Sequence, residues 1–377
     1  MRVLIVSGIW SPDVGGPASH APELAAYLRR RGHEVGVVTT ADREPAAEAY
    51  RVDWVSRRIP VGIRHLAVAE KIRSRARSAD VVYATSMVGR AAPGAVLARR
   101  PLVVRIAGDV AYERALRRGY FRGDLEAFQR WDGGVRVATL RRERDAALRC
   151  ARRILCPSAY LGRFVVGWGI PEAKVVVIPN PAPQVVPTPP REQLRARLGM
   201  SGRTLAFAGR LTTAKALDVA LKALAAVPDI TLLIGGDGPE ESSLRKTADE
   251  LGLTGRVRFL GPLARDEVLE LFLAADAMLL PSAWENFPHT VVESLAVGTP
   301  VIATRVGGVP EVVCDRVNGL LVAPRDPEAM AAAIARLFDE PGLRDRLAAA
   351  AAPSVRELER DTTLARIESL LRDVVAA

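Results

Sequence analysis

Apolar runs of strand length alternate with helix-length amphipathic stretches along this chain, and the pattern runs twice. The first run, RVLIVS at 2–7, is continuous, as expected for a strand buried on both faces. A Gly/Pro-rich loop follows (SPDVGGPASH), then a helical pattern over about 21–31 closed by Gly32, then a strand in GHEVGVVTT. Further strands are expected at 81–84, 102–106 and 154–157, with helical stretches between them. Strands and helices in this order build a parallel α/β sheet. Residues 179–190 (PNPAPQVVPTPP) then carry six prolines in twelve positions. Proline removes backbone donors and stiffens the chain, so this stretch reads as a domain connection.

Beyond it the alternation restarts. TLAFAG precedes a helix at 214–226, ITLLIGG one at 239–251, and VRFLG one at 265–275. AMLLPS then leads to a helix at 288–297, and PVIAT to a short segment at PEVV. From about 327 to 377 the chain reads as helices, with a kink expected at Pro353. Two domains suit 377 residues, and a 49% hydrophobic content can fill two cores. The expected boundaries are 1–182 and 183–357, with 358–377 returning to the first domain. Ligands of open parallel sheets bind beyond the carboxyl ends of the strands. Two such sheets facing each other would enclose a cleft between the domains.

Three cysteines without a CxxC pair fit a reducing compartment. The apolar run at the start stops at Pro12, and the longest charge-free stretch (175–190) holds six prolines. A secretory leader and a membrane span are therefore not expected, and a cytoplasmic protein is.

The net charge of +10 is unevenly distributed. Residues 51–153 hold 24 basic and 10 acidic side chains, more than the whole excess. Such a field attracts polyanions: nucleic acid, anionic lipid or phosphorylated substrates. A general preference for arginine on solvated helices gives the same count, since Arg outnumbers Lys 48 to 5. No RNA-binding or helix-turn-helix signature accompanies it, so no nucleic-acid partner is expected. The stretch 56–77 (SRRIPVGIRHLAVAEKIRSRAR) mixes Arg with Ile, Val and Leu, as an interfacial helix would.

Two constellations carry chemistry. In SAWENFPHTVVESLAVGTPVIAT (282–304), Glu285 stands in a loop after an apolar strand and Glu293 eight positions on, inside the next helix. The amides of Asn286, Phe287 and His289 around Pro288 would open that helix, an end suited to phosphate. A carboxylate beside it accepts hydrogen bonds from sugar or ribose hydroxyls, or alternatively caps the helix. In FAGRLTTAK, Arg210 follows a strand and Lys215 stands five residues on. Such cations either neutralise a diphosphate or sit solvated on the surface. A glycine turn at 234–240 (IGGDGPE) is not GxGxxG, which disfavours a dinucleotide-dependent dehydrogenase.

Taken together, these segments resemble the family 4 glycosyltransferases, retaining enzymes of the GT-B fold. The likeness runs through VSGIWSPDVGGPASH, PSAYL, VIPNP, GRLTTAK, GGDGPE, VRFLGPL, the paired glutamates and GTPVIATRVGGVPEVV, in family order. It implies two facing Rossmann-like domains and a last helix crossing back to the first. It also implies a nucleotide-sugar donor (UDP-, GDP- or dTDP-linked) on the second domain and a hydroxyl acceptor on the first. By position, Arg210 and Lys215 would bind the diphosphate, Glu285 the transferred sugar and Glu293 the ribose. Gly16 would lie close to the phosphates, and Gly236, Asp237, Gly238 and Leu263 near the donor. Neither a cofactor nor a metal ion is implied. Acceptors of such enzymes are often lipid-linked, which would give the basic stretch 51–153 an anionic membrane surface as partner.

The chain departs from the family in two places. Many members carry a His after the strand corresponding to LVVRI, where this chain reads RIAGDVAYERA and has Asp109. Asp109 is expected either to touch the acceptor or sugar, with a base as one such role, or to cap a helix. The Glu-Gly-Phe-Gly of many relatives is Glu285-Asn286-Phe287-Pro288 here, and Pro288 suits a first helical position while lacking one N–H. A nucleotide-sugar epimerase or a non-catalytic binder would share the fold, and no residue here favours either.

Overall fold

The computed structural model describes residues 1–10, 16–46, 48–184 and 189–377, with the side chains of 16–19 outside the description. The chain divides into two compact units, Met1–Pro179 with Asp361–Ala377, and Asn180–Arg360. The divisions lie at 179/180 and 360/361, where 182/183 and 357/358 were expected.

The first unit opens with β1 (Arg2–Ser7), α1 (Gly16–Arg30), β2 (Glu34–Ala41) and β3 (Arg51–Ser56). It continues through α2 (Val61–Ala76), β4 (Val81–Ala84), α3 (Val88–Leu97) and β5 (Leu102–Arg105). Three helices follow, α4 (Val110–Arg117), α5 (Leu125–Arg130) and α6 (Gly134–Arg149). Then come β6 (Arg153–Cys156), α7 (Ala159–Gly167) and β7 (Val175–Val177). The seven strands form one sheet in the order β3-β2-β1-β4-β5-β6-β7. Every recorded pairing in it is parallel.

The second unit runs α8 (Arg191–Arg197), β8 (Arg203–Ala208), α9 (Leu217–Ala225), β9 (Ile230–Gly235) and α10 (Glu241–Glu250). β10 (Val257–Gly261), α11 (Arg265–Ala274), β11 (Ala277–Leu280), α12 (His289–Ala296), β12 (Val301–Thr304) and β13 (Gly319–Val322) follow. It closes with α13 (Pro327–Asp339) and α14 (Leu343–Ser354), where Pro353 ends the helix instead of kinking it. Its six-stranded sheet has the order β10-β9-β8-β11-β12-β13, again parallel. Both units are Rossmann-like doubly wound folds. The last helix, α15 (Arg360–Ala376), packs on the first unit.

Burial explains the layering. The central strands are apolar because helices cover both faces, so Val3 to Val6 are 0–3% exposed. One side of the first sheet packs against α2, α3 and α7 through Ile72, Ala95 and Leu161. The other packs against α1 and α15 through Leu24, Leu28, Leu364, Ile367 and Leu371. Each such aliphatic side chain contributes about 1.5–3 kcal/mol on burial. Polar bonds lock α15 at the same place. Glu368 accepts from His33 Nε2 (2.9 Å), Arg372 Nη2 (2.6 Å) and the Tyr27 hydroxyl (3.1 Å). Among the described residues, no helix is long and apolar enough to cross a membrane.

Candidate active site

In the second sheet the strand order reverses between β8 and β11, which is where doubly wound sheets bind ligands. The loops leaving those two strands carry the two strongest candidates. Lys215, after β8, donates from Nζ to Glu285 Oε1, after β11, at 2.5 Å. The pair is largely enclosed, with 24% and 10% of the side chains exposed. Ser282 Oγ donates to the same Oε1 at 2.7 Å. Glu285 therefore holds one oxygen under a cation and a hydroxyl, and among the described residues Oε2 has neither a donor nor an ion pair.

Backbone bonds fasten the neighbouring loops to this point. Ala283 N donates to Ala214 O (2.8 Å), tying the β11 loop to the β8 loop. Gly209 N donates to Gly235 O (3.0 Å), Leu211 N to Asp237 O (2.7 Å) and Gly236 N to Gly261 O (2.6 Å). The glycine turn is required by this closeness. Gly236 and Gly238 have φ of +123° and +156°, and a Cβ on them would fall on the carbonyl oxygens of Gly209 and Leu211. Leu263 packs against Gly235 from the β10 loop.

The local chain differs from expectation in two respects. The helix expected at 214–226 is broken. Thr213–Lys215 form a 3₁₀ turn, Ala216 takes φ +46°, and α9 starts at Leu217. A non-glycine residue in that region is strained, and here the bend turns Lys215 toward Glu285. The second correction concerns α12. Asn286, Phe287 and Pro288 do not open the helix: Pro288 is its N-cap, in extended backbone, and the first helical residue is His289. The first-turn amides are thus those of His289, Thr290 and Val291, and the proline costs α12 no donor. Asn286 and Phe287 are buried beneath the loop, and the Phe287 carbonyl accepts from Asn180 Nδ2 (2.8 Å).

Arg210 and Asp237 are exposed, and Arg210 makes no hydrogen bond or ion pair among the described residues. Glu293 lies on α12 as expected, and Arg265 Nε approaches its Oε1 at 3.7 Å. Ser282, which orients Glu285, was not singled out in the sequence. Its place three residues before a loop glutamate was the available signal. Among the described residues no three His, Cys, Asp or Glu side chains gather to hold a metal ion.

The comparisons with known proteins agree with this layout. The family model of Glycosyltransferase Family 4 matches residues 14–183, and that of Glycosyl transferases group 1 matches residues 191–353. Each unit thus matches a glycosyltransferase family model, and the fold is of the GT-B type. Among curated relatives, the D-inositol 3-phosphate glycosyltransferase of Mycolicibacterium gilvum is 42% identical over 156 residues. That match covers 39% of this chain and 35% of that protein, so the chain spans about a third of the relative's length. The crystal structure of Anabaena Alr3699/HepE in complex with UDP is similar along 99% of this chain and 100% of that one, at 22% identity and a TM-score of 0.80. The complex of the same Anabaena protein with UDP-glucose gives 23% identity and a TM-score of 0.78.

In the first unit, Asp109 takes the second of its two expected roles. Asp109 is a helix cap and not an open carboxylate. Oδ1 accepts from the amides of Ala111 (2.8 Å) and Tyr112 (3.3 Å), and Oδ2 from Gln129 Nε2 (3.0 Å) and Arg144 Nη1 (2.6 Å). With no exposed side-chain surface and both oxygens engaged, it has no face to offer an acceptor. Gly16 is the first residue of α1, and residues 11–15 before it lie outside the described residues.

Proposed function

We propose that this protein is a retaining glycosyltransferase that moves a sugar from a nucleotide-sugar donor to a hydroxyl acceptor without a divalent metal. The observation that carries this reading is the meeting of Lys215 and Glu285 at the reversal point of the second sheet. Breaking the bond between sugar and diphosphate places negative charge on the departing nucleoside diphosphate. Lys215, the unpartnered Arg210 and the amino end of α12 are fixed positive groups suited to stabilise that charge as it grows. The Oε2 of Glu285 accepts from a hydroxyl of the transferred sugar, Glu293 from the ribose, and the glycine turn with Asp237 and Leu263 walls the nucleotide.

UDP-sugars are the first donors to test, because the Anabaena relative is described with UDP and with UDP-glucose. GDP- and dTDP-sugars complete the panel. Hydrolysis or transfer of one donor in the presence of EDTA supports the reading. No turnover and no thermal stabilisation by any nucleotide of the panel would remove it.

The acceptor belongs to the first unit in this reading, at the cytoplasmic membrane face where lipid-linked glycans are built. The amino-terminal half of α2 supports a surface role, since Val61, Ile63 and Leu66 are 59%, 63% and 74% exposed beside Arg58 and Arg64. Co-sedimentation with anionic vesicles at low salt tests the membrane part on its own.

A further inference from the structure

The helix α4 leaves the carboxyl end of β5 through the loop 106–109, on the edge of the first sheet where doubly wound folds bind ligands. The stretch GDVAYERA from Gly108 holds two carboxylates, and the structure uses them in opposite ways. Asp109 serves the fold, with both oxygens engaged and Oδ1 taking the amides of Ala111 and Tyr112. Glu113, one turn on, is exposed, and its side chain makes no hydrogen bond or ion pair among the described residues.

The direction of the Glu113 side chain is the informative point. Arg117 stands four residues on, the spacing and order at which a helical glutamate and arginine pair favourably, and no such pair forms. Arg114 is taken by Glu143 at 3.0 Å. Glu113 instead folds back toward the start of α4, and its Oε1 lies 3.0 Å from where a Cβ on Gly108 would stand. No amide there donates to it, since Asp109 already caps the helix. Desolvation by the surrounding protein raises the Glu113 pKa, and the charge of Asp109 adds to the rise, while Arg117 and Arg114 oppose it. A carboxylate that solvent reaches, that its surroundings desolvate and that no protein donor meets is open to a donor brought by a ligand. Arg114, Arg117 and Arg118 make this a poor place for a cationic ligand, which leaves hydroxyl groups as the donors.

We propose that Glu113 is an acceptor-binding residue whose carboxylate accepts hydrogen bonds from the hydroxyls of a polyol, such as a sugar ring, at the carboxyl end of β5, and that Gly108 leaves it room. An ionised carboxylate is an acceptor only, and its two oxygens can serve neighbouring hydroxyls. The identity of the polyol as acceptor rests on the glycosyltransferase reading; the carboxylate site itself does not.

Two variants separate chemistry from position. Glu113→Gln keeps the size of the side chain and removes its charge. Gly108→Ala keeps the carboxylate and pushes it aside. Gly108 has no positive φ, so alanine suits its backbone, and only the flexible end of Glu113 has to move. The test is saturation-transfer NMR of the full chain with myo-inositol, methyl α-glucoside and glycerol. Transfer to at least one of them is expected in the wild type, with affinity about tenfold or more weaker in each variant, the scale of one hydrogen bond to a charged group. Melting temperatures near wild type are expected for Glu113→Gln. A lowered one marks a structural carboxylate and overturns the proposal, as does equal transfer in all three proteins or none in the wild type. Turnover of UDP-glucose without added polyol, assayed separately, reports the donor reading. Its absence with polyol binding intact removes that reading and leaves this site standing.

Discussion

Arg144 Nη1 lies 2.6 Å from Asp109 Oδ2, and the two side chains retain 4% and 0% of their surface. The guanidinium is also stacked on Trp168, 3.7 Å from the ring centroid, and Trp168 Nε1 donates to Gln129 Oε1 at 2.8 Å. Gln129 in turn donates to Asp109, so four residues from separate segments close a ring of polar contacts. The aspartate thereby pins the helices α4 to α6 to the sheet.

Asp109→Ala should cost about 2–4 kcal/mol, because it takes from the buried Arg144 one of its two carboxylate partners, leaving only Asp145 at Nε (2.8 Å), and removes the cap of α4. Pairing it with Arg144→Met should recover part of the loss. Chemical denaturation of both variants checks this, and a double variant weaker than the single would contradict it.

Lys215→Ala and Glu285→Gln should each lower kcat by about 10²–10³, the scale of losing one preorganised charge at a developing anion. Melting temperatures should stay near wild type, since the pair lies at the edge of the sheet and outside its apolar core. Steady-state turnover of the preferred donor is the measurement.

Ser282→Ala should reduce kcat and leave the donor KM nearly unchanged. The hydroxyl orients Oε1 of Glu285 without reaching the donor in this reading. Equal changes in both constants would show that Ser282 binds the donor directly.

Gly236→Ala and Gly238→Ala should each destabilise the second unit by at least about 1–3 kcal/mol and weaken nucleotide binding. Both put a Cβ on a carbonyl oxygen of the facing loop, which cannot move without breaking Leu211–Asp237. Thermal unfolding with and without UDP reads both effects.

Acid should loosen α15. Burial alone would raise the Glu368 pKa, but hydrogen bonds from His33, Arg372 and Tyr27 outweigh it and hold the group at about 2 against an ordinary 4.5. A depressed carboxyl stabilises fully above its unfolded pKa and loses that contribution as pH falls from about 4.5 toward about 2. Hydrogen exchange along α15 should rise across that window, and Glu368→Gln should flatten the rise.

The central strands were legible because parallel strands covered on both faces are continuous apolar runs. β3, β7 and β13 were not foreseen, and all three are edge strands. β3 alternates Arg51 and Asp53 with Val52 and Trp54, and β7 is three half-buried valines, so neither gives a buried run. α1 starts five residues before the expected 21 because its glycine and prolines read as loop. Lys215 and Glu285 could be singled out by their loops, but their contact could not. It depends on the bend at Ala216, a residue without any turn preference in sequence. Asp109 carried two readings, cap or contact, and only the position of Arg144, 35 residues on, separates them.

The helix α15 is synthesised after the whole second unit, yet it covers Leu24 and Leu28 in the layer built first. While the second unit emerges from the ribosome, one face of the first sheet stays wet and apolar. The first unit can therefore form its sheet early but seals only once residues 361–377 have been made, with Met1, His33 and Glu368 closing a single chain of contacts. For this protein loss of α15 is a defect of the front half, and its signature should be aggregation during expression, not a slow enzyme.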